Sequence, residues 1–244
     1  MNLRTLPSRI GRAVGDLLHP PPVPRPGKVR LGDLRRTEPI SRSYGYDRGN
    51  PIDRYYIERF LKAHAEDIRG RVLEVGEDMY SSAIGGSAVR KVEILHAHAG
   101  NPAASYVADI GTGRGLPAAT FDAIVMTQTL QLVYDLRAAV ALLHDALVPG
   151  GVLLTTMPGF SQLPVDEWAE NWYWGFTDRS VRRLFGEVFP ADHFSVEVHG
   201  NVLASVGFLH GLAEWELSRE ELDRRDPLYQ LLITVRARRP SGGG

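Results

Sequence analysis

The stretch from Phe121 to Gly159, FDAIVMTQTLQLVYDLRAAVALLHDALVPGGVLLTTMPG, decides the fold. It opens with a short apolar, β-branched run, Phe121 to Met126, which is typical of a strand buried on both faces. From Asp135 the apolar residues change to helical spacing, and Pro149-Gly150-Gly151 predicts the end of that helix. A second buried strand follows from Val152 to Thr156. Such a β-α-β unit has parallel strands, and its ligands bind at the carboxyl ends of those strands.

The composition indicates a single α/β domain with a substantial core and small additions, since 43% of the 244 residues are hydrophobic. A formal net charge of −1, without a long Lys/Arg tract, argues against a nucleic-acid partner. No apolar run approaches the roughly 20 residues that a bilayer-spanning helix needs, so no membrane partner is expected. The absence of cysteine excludes disulfides and thiolate ligands, and it fits a cytoplasmic location.

The composition along the chain predicts three segments. Residues 1–40 are basic and proline-rich, which favours a flexible or loosely packed N-terminal arm. The alternative for this arm is a segment that covers the active site or docks on a partner. Residues 41–239 carry the periodic apolar pattern of the folded domain, and residues 240–244 form a flexible tail.

Further strands are predicted on both sides of the central unit. Before it come the RVLEVG run at Arg71 to Gly76, a strand from Val89 to Leu95 and the ASYVADI run at Ala104 to Ile110. After it, an apolar helix from Leu203 to Leu217 separates two late strands, one at Phe194 to Val198 and one at Tyr229 to Arg236.

The order of LEVG, AD, FD, L-x-PGG and two late strands resembles class I S-adenosylmethionine (SAM) dependent methyltransferases. The resemblance covers the chain from about Gly45 to Arg236. It implies a Rossmann-like, seven-stranded, mostly parallel sheet with helices on both faces. A closing antiparallel strand pair would place the last strand between the fifth and the sixth.

The resemblance implies SAM as cofactor and S-adenosylhomocysteine as product. A strand-end carboxylate about 20 residues after the glycine turn suits ribose hydroxyls, which points to Glu93, although a surface glutamate is the competing interpretation. In the family, the acidic residue of the first strand hydrogen-bonds backbone near the cofactor, and the aspartate after the third strand accepts from the adenine amino group. The cofactor residues expected in this chain are Glu74, Gly76, Glu93, Asp109, Ile110, Thr127 and Gln128.

The acceptor substrate is expected to bind at two aromatic segments. The turn and helix from Ser43 to Leu61 crowd phenols and guanidiniums that can bind carboxylate, phosphate or hydroxyl groups. The segment from Gly159 to Thr177 holds three of the four tryptophans, and a pocket and simple packing explain it equally well. The substrate-binding residues predicted from these segments are Arg48, Asp53, Tyr55, Trp172 and Tyr173.

The catalytic candidates are weakly defined. In-line methyl transfer needs alignment and a dry site more than a covalent nucleophile. His96, Gln128 and Gln131 are the candidates by position, while helix capping by Thr127 or Thr129 is the competing role for the segment after the fourth strand. His96 and His98 lack a third ligand at metal spacing, so no metal site is predicted.

The sequence therefore predicts a SAM-dependent methyltransferase acting on a small molecule: a sugar, a glycan precursor, or a natural-product hydroxyl or amine. One alternative is a methyltransferase-like subunit that transfers no methyl and instead binds or regulates a biosynthetic partner. Another is a SAM-fold enzyme with a different reaction, such as cyclisation. A homodimer and a complex with a biosynthetic partner enzyme are the assemblies considered.

Overall fold

A computed structural model describes residues 23–242 of the chain. The helices in this range are α1 (Ile52–Ala63), α2 (Leu136–Ala146), α3 (Asp178–Gly186), α4 (Val202–Leu209) and α5 (Arg219–Asp223). The strands are β1 (Gly70–Val75), β2 (Val89–His96), β3 (Ala104–Val107), β4 (Phe121–Thr127), β5 (Leu147–Pro158), β6 (Phe194–His199) and β7 (Leu232–Arg238). None of the described helices is long and apolar enough to cross a bilayer.

One sheet contains these strands in the order β3-β2-β1-β4-β5-β7-β6. The pairs from β3 through to β5 are parallel, whereas β7 runs antiparallel to both β5 and β6. The predicted mostly parallel seven-stranded sheet is confirmed, including the insertion of the last strand between the fifth and sixth. Its parallel half leaves the carboxyl ends of β1, β2 and β4 at one edge.

The β4–α2–β5 unit forms as its sequence predicts. The Asp135 carboxylate caps α2 by accepting from the Ala138 backbone N–H at 3.0 Å, a standard way to satisfy a free helix donor. Strand β5 starts at Leu147, earlier than the predicted Val152, because Leu147 already pairs with Phe121. The register then shifts so that Val152 faces Ala123, which leaves Pro149-Gly150-Gly151 as an irregularity within the strand.

The core lies on both faces of the central strands. Ile124 on β4 packs with Val140 of α2 and Phe185 of α3 on one face. Its neighbour Val125 points the other way and packs with the cluster formed by α1 and α4. Both strand residues are fully buried, as the unbroken apolar run of β4 requires.

The predicted helix from Leu203 to Leu217 is wrong in its length. Helix α4 ends at Leu209 because Gly211 adopts the left-handed conformation, with φ of 72°. A Cβ at Gly211 would come within 2.4 Å of the Ser41 carbonyl oxygen, so only glycine fits this close approach. A 3-10 turn at Glu214–Glu216 and the short α5 replace the rest of the predicted helix.

The chain separates into two compact units, Met1–Glu38 and Pro39–Gly244. In the first unit, the described residues 23–38 contain a 3-10 turn at Gly32–Arg35. The second contains all the helices and strands named above. The predicted division into an arm, a domain and a tail stays a prediction, and part of the arm and tail, residues 1–22 and 243–244, lies outside the described residues.

Candidate functional site

A cavity of about 540 Å³ lies at the carboxyl ends of β1, β2 and β4, where the parallel topology predicts a ligand site. Gly76 follows β1, His96 ends β2 and Thr127 ends β4, and all three line this cavity. Its volume is in the range of small-molecule sites. The remaining walls come from the turn before α1, the start of α1, the segments that follow β3, β4 and β5, and from Phe208 of α4 and Leu231.

Gly76 brings bare backbone to the cavity wall. Its φ of 90° lies in the left-handed region that side chains rarely adopt. A Cβ built at this position meets no atom within 4 Å, so the space beside the backbone is open. A ligand can therefore approach the Gly76 backbone closely, even though Glu77 and Asp78 follow it.

The Glu74 side chain does not line the cavity and instead hydrogen-bonds the backbone of the segment that follows β1. Its carboxylate is 3% exposed and accepts from the backbone N–H groups of Tyr80 at 3.0 Å and Ser81 at 2.7 Å. Burial raises the pKa of Glu74, and these hydrogen bonds oppose that shift. The structure does not bring Glu74 to the cavity, so the side chain holds the segment after β1 in place instead of contacting a ligand there.

The structure does not bring Glu93, predicted to bind the cofactor ribose, to the cavity either. Glu93 lies three residues before the end of β2, where it pairs in register with Leu73. Arg71 binds its carboxylate, and the Lys91 Nζ donates to it at 2.9 Å; these contacts, led by Arg71, lower the pKa of Glu93. The residue at the carboxyl end of β2 is His96.

We expect Glu93→Gln to leave SAM affinity within about twofold of the native protein, because the residue lies outside the cavity. The substitution weakens the ion pair between the buried Glu93 carboxylate and the partly exposed Arg71, so the free energy of unfolding should fall by about 1 kcal/mol. Isothermal titration and urea denaturation measure the two effects. Loss of SAM binding by a fully folded variant would return Glu93 to the cofactor site.

Asp109 and Ile110 line the cavity beside each other after β3. The Asp109 Oδ1 accepts from the Gly111 backbone N–H at 2.9 Å, which caps the short turn Ile110–Thr112. The Asp109 side chain remains exposed, while Ile110 is 4% exposed and belongs to the core. The arrangement offers a carboxylate next to an apolar surface, a combination that suits a nitrogen-rich aromatic ring.

Two glutamines after β4 form a polar part of the wall. Gln128 has a φ of 47°, an uncommon conformation for a residue with a side chain and one that clusters at functional sites. The Gln131 Nε2 donates to the Gln128 carbonyl oxygen at 2.8 Å. Gln131 is 1% exposed, yet its Oε1 has no hydrogen-bond partner among the described residues. A buried acceptor left open in a cavity wall is available to a ligand.

The turn before α1 supplies only part of the predicted acceptor site. Asp53 lines the cavity, together with its neighbour Arg54. Tyr55 does not, because successive helix residues are about 100° apart and Tyr55 lies about 200° around the axis from Asp53. Its hydroxyl instead donates to Asp223 at 2.6 Å.

Arg48, predicted to bind the substrate, also lies outside the cavity. Its guanidinium makes a two-point ion pair with Glu216, in which Nε donates at 2.9 Å. The Arg48 carbonyl oxygen also accepts from Trp215 Nε1 at 2.9 Å. Arg48 therefore fixes the turn before α1 to the turn at Glu214–Glu216.

The aromatic segment after β5 serves both roles that its sequence allows. Trp168, Trp172 and Tyr173 line the cavity. The Trp168 ring stacks on His98, with centroids 6.3 Å apart, and meets His96 edge-on. Trp174 is a packing residue, because its Nε1 donates to the Val133 carbonyl oxygen at 2.9 Å.

Sequence reasoning missed several wall residues, among them Asp166 and Phe208. Asp166 caps a 3-10 turn by accepting from the Trp168 N–H at 3.0 Å, and its sequence context indicates nothing beyond that cap. Phe208 lies on the apolar helix α4, where every aromatic residue looks like core. Neither position carries a sequence signal for a ligand site.

A family model described as a methyltransferase domain matches residues 45–200. This chain belongs to that methyltransferase family. The match confirms the predicted membership of the SAM-dependent methyltransferases, and it spans β1 to β6, including every strand that ends at the cavity. Comparison with curated protein sequences finds no match.

Solved structures share the fold of this methyltransferase at low sequence identity. A SAM-dependent methyltransferase from Archaeoglobus fulgidus is 10% identical, over 76% of this chain and 94% of its own, with a TM-score of 0.51. A SAM-dependent methyltransferase from Mesorhizobium loti is 18% identical, over 77% and 98%, with a TM-score of 0.49. The N-methyltransferase NodS from Bradyrhizobium japonicum, solved with S-adenosylhomocysteine, is 16% identical over 79% and 90%, with a TM-score of 0.48.

Proposed function

We propose that this methyltransferase binds SAM in the cavity and methylates a small molecule that carries a hydroxyl or an amine, such as a sugar, a glycan precursor or a natural product. One observation carries the proposal. Gly76, which follows β1, and the neighbours Asp109 and Ile110, which follow β3, line a single cavity at the carboxyl ends of parallel strands. In open α/β sheets this is where nucleotide-like ligands bind.

The residues of the cavity suit this cofactor. The open backbone at Gly76 admits the amino-acid part, while Asp109 and Ile110 offer an acceptor and an apolar surface to the adenine. His96 and Thr127 lie at the neighbouring strand ends. When bound, SAM supplies an electrophilic methyl group on a sulfonium.

The chain's own contribution is alignment and exclusion of water. Trp168, Trp172 and Tyr173 cover the cavity from the segment after β5, and Phe208 adds apolar surface from α4. Such walls hold a small acceptor in one orientation and keep the site dry, which favours methyl transfer over hydrolysis.

Isothermal titration of the purified chain with SAM and with S-adenosylhomocysteine tests the proposal. We expect micromolar binding of at least one of them, at one site per chain. Mass spectrometry of an acceptor mixture incubated with methyl-deuterated SAM then identifies the methylated product. Absence of binding by both compounds up to millimolar concentration would contradict the proposal.

One observation favours a second candidate, a methyltransferase-like subunit that binds or regulates a biosynthetic partner without transferring methyl. The carboxylate predicted for the ribose, Glu93, is occupied by Arg71 and Lys91, and His96 takes the strand-end position. This candidate predicts no SAM affinity for the isolated chain. The same titration therefore separates the two functions.

A further inference from the structure

Several hydrogen-bond acceptors line the cavity. We call this set the acceptor side and define it by Tyr44, Asp53, Gln128, Gln131 and Asp166. Burial raises the pKa of the Tyr44 hydroxyl to about 12, and the nearby negative charges of Asp166 and Asp53 add to the shift. Two carboxylates from distant parts of the sequence thus lie close to the same phenol.

Asp53 is a buried carboxylate beside the guanidinium of its neighbour Arg54. The residue is 8% exposed, and its hydrogen bonds come from backbone at the start of α1. Burial raises the pKa of Asp53, and Arg54 and those backbone groups oppose the shift only in part. A ligand that brings positive charge would stabilise this carboxylate.

The guanidinium of Arg54, the positive charge near Asp53, already donates hydrogen bonds to two tyrosine hydroxyls. Among the described residues, Arg54 is the single arginine or lysine that lines the cavity. Its Nε donates to the Tyr46 hydroxyl at 2.9 Å, and its Nη1 donates to the Tyr80 hydroxyl at 3.0 Å. Three carboxylates, Asp53, Asp109 and Asp166, line the same cavity. An anionic acceptor, such as a phosphate or carboxylate, would meet repulsion here.

The Gln131 side chain independently indicates that the ligand carries a hydrogen-bond donor. Gln131 lines the cavity, and its buried Oε1 has no hydrogen-bond partner in the part of the chain that the structure describes, while its Nε2 donates to Gln128. Leaving a buried acceptor open costs about 1–3 kcal/mol, and a ligand N–H or O–H would remove that cost. The wall therefore favours a ligand that donates hydrogen bonds.

The geometry points to an amine as the methyl acceptor, bound as an ammonium whose N–H groups donate to the carboxylates and amide oxygen of the acceptor side. This inference rests on the proposed function and narrows its substrate class from hydroxyls and amines to amines. Trp172 and Tyr173 provide apolar surface for the body of the molecule. Asp53 also serves as proton acceptor: the ammonium gives one proton to the carboxylate, leaving a neutral amine and a carboxylic acid.

Three probes of matched shape test the inference: benzylamine, benzyl alcohol and benzoate. Each is titrated at pH 7 into the full chain saturated with S-adenosylhomocysteine, and binding is followed by calorimetry and by NMR. We expect benzylamine to bind at least about tenfold more tightly than benzyl alcohol, in line with the greater strength of charge-assisted hydrogen bonds. Benzoate should not bind.

Variants locate the interaction. Asp53→Asn should weaken benzylamine binding about tenfold and leave the affinities for benzyl alcohol and S-adenosylhomocysteine within about twofold. Asp166→Asn is the second variant, because asparagine can still cap the turn at Glu167–Asn171. Asp192→Asn, at an exposed position that does not line the cavity, is the matched control and should change nothing.

The outcomes separate this inference from the proposed function. Binding of S-adenosylhomocysteine without binding of benzylamine up to about 20 mM would overturn the inference alone, since even fragment-sized ligands of a matched site bind in the millimolar range. Equal binding of benzyl alcohol or benzoate would also overturn it. Failure of S-adenosylhomocysteine itself to bind would contradict the proposed function. If Asp53→Asn does not fold, unchanged benzylamine binding by Asp166→Asn would overturn the inference.

Discussion

Asp109→Ala is expected to weaken binding of SAM and S-adenosylhomocysteine about 10- to 100-fold. The proposed adenine site uses the exposed carboxylate of Asp109 as an acceptor, and hydrogen bonds to a charged group contribute about 1.5–3 kcal/mol. The substitution also removes the cap on the Gly111 N–H, which loosens the turn at Ile110–Thr112. Isothermal titration measures the change.

Asp109→Asn separates these two effects. Its side-chain oxygen can still accept from the Gly111 N–H, so the turn is kept. The amide then presents N–H donors to the adenine amino group, which needs an acceptor. We expect about a tenfold loss of affinity for this variant. If both variants bind S-adenosylhomocysteine as well as the native chain does, the adenine assignment is wrong.

His199 is expected to make the fold sensitive to acid. The residue is 8% exposed, its Nε2 lies 3.0 Å from the Thr234 Oγ1, and its ring packs near Tyr56. Burial, followed by the positive charge of Arg225, lowers the pKa of His199 from its usual 6.5 to about 4. The cause is the cost of placing an imidazolium in this apolar surrounding.

The sign of the effect follows from proton binding. Between pH 6.5 and about 4 the unfolded chain binds a proton at His199 and the folded chain does not, so stability rises with pH. Lowering the pH from 7 to 4 should therefore cost about 3 kcal/mol from this group alone.

Urea denaturation at pH 7 and pH 4 measures this contribution. We expect His199→Gln to be less stable than the native chain at pH 7 but to lose about 3 kcal/mol less between the two pH values. His98→Gln, at an exposed position, should keep the native pH dependence. If His199→Gln and the native chain lose the same stability between pH 7 and pH 4, His199 is protonated to the same extent in the folded and the unfolded state.

Local patterns were sufficient to predict the strands, and the resemblance to the methyltransferases supplied their arrangement in one sheet. The apolar run of β4, the helical spacing of α2 and the strand that resumes after Pro149-Gly150-Gly151 are properties of neighbouring residues. The end of α4 is different. Gly211 stops the helix where its backbone meets Ser41, a contact between residues far apart in sequence.

The candidate site shows the same difference between what the sequence predicts and what contacts between distant residues decide. The resemblance to the methyltransferases placed Gly76, Asp109, Ile110 and Thr127 at the cofactor, and all four line the cavity. Glu93 was predicted for the ribose from its spacing after Gly76, but Arg71 and Lys91 hold its carboxylate outside the cavity, and no local pattern reveals these contacts.

The residues predicted to bind the acceptor substrate show the effect of contacts distant in sequence most clearly. Arg48 and Tyr55 turn away from the cavity toward Glu216 and Asp223, whose distant positions no local pattern reveals. Asp53 lies between them in sequence and lines the cavity. The helical spacing of α1 and the contacts with the C-terminal segments therefore decide together which of these three residues face a ligand.

A crystal structure of the chain with S-adenosylhomocysteine tests the central claim most directly. The account predicts electron density in the cavity at the carboxyl ends of β1, β2 and β4, with the adenine beside Asp109 and Ile110 and the amino-acid part beside Gly76. Density for S-adenosylhomocysteine elsewhere on the protein, or none in crystals grown at millimolar concentration, would contradict it.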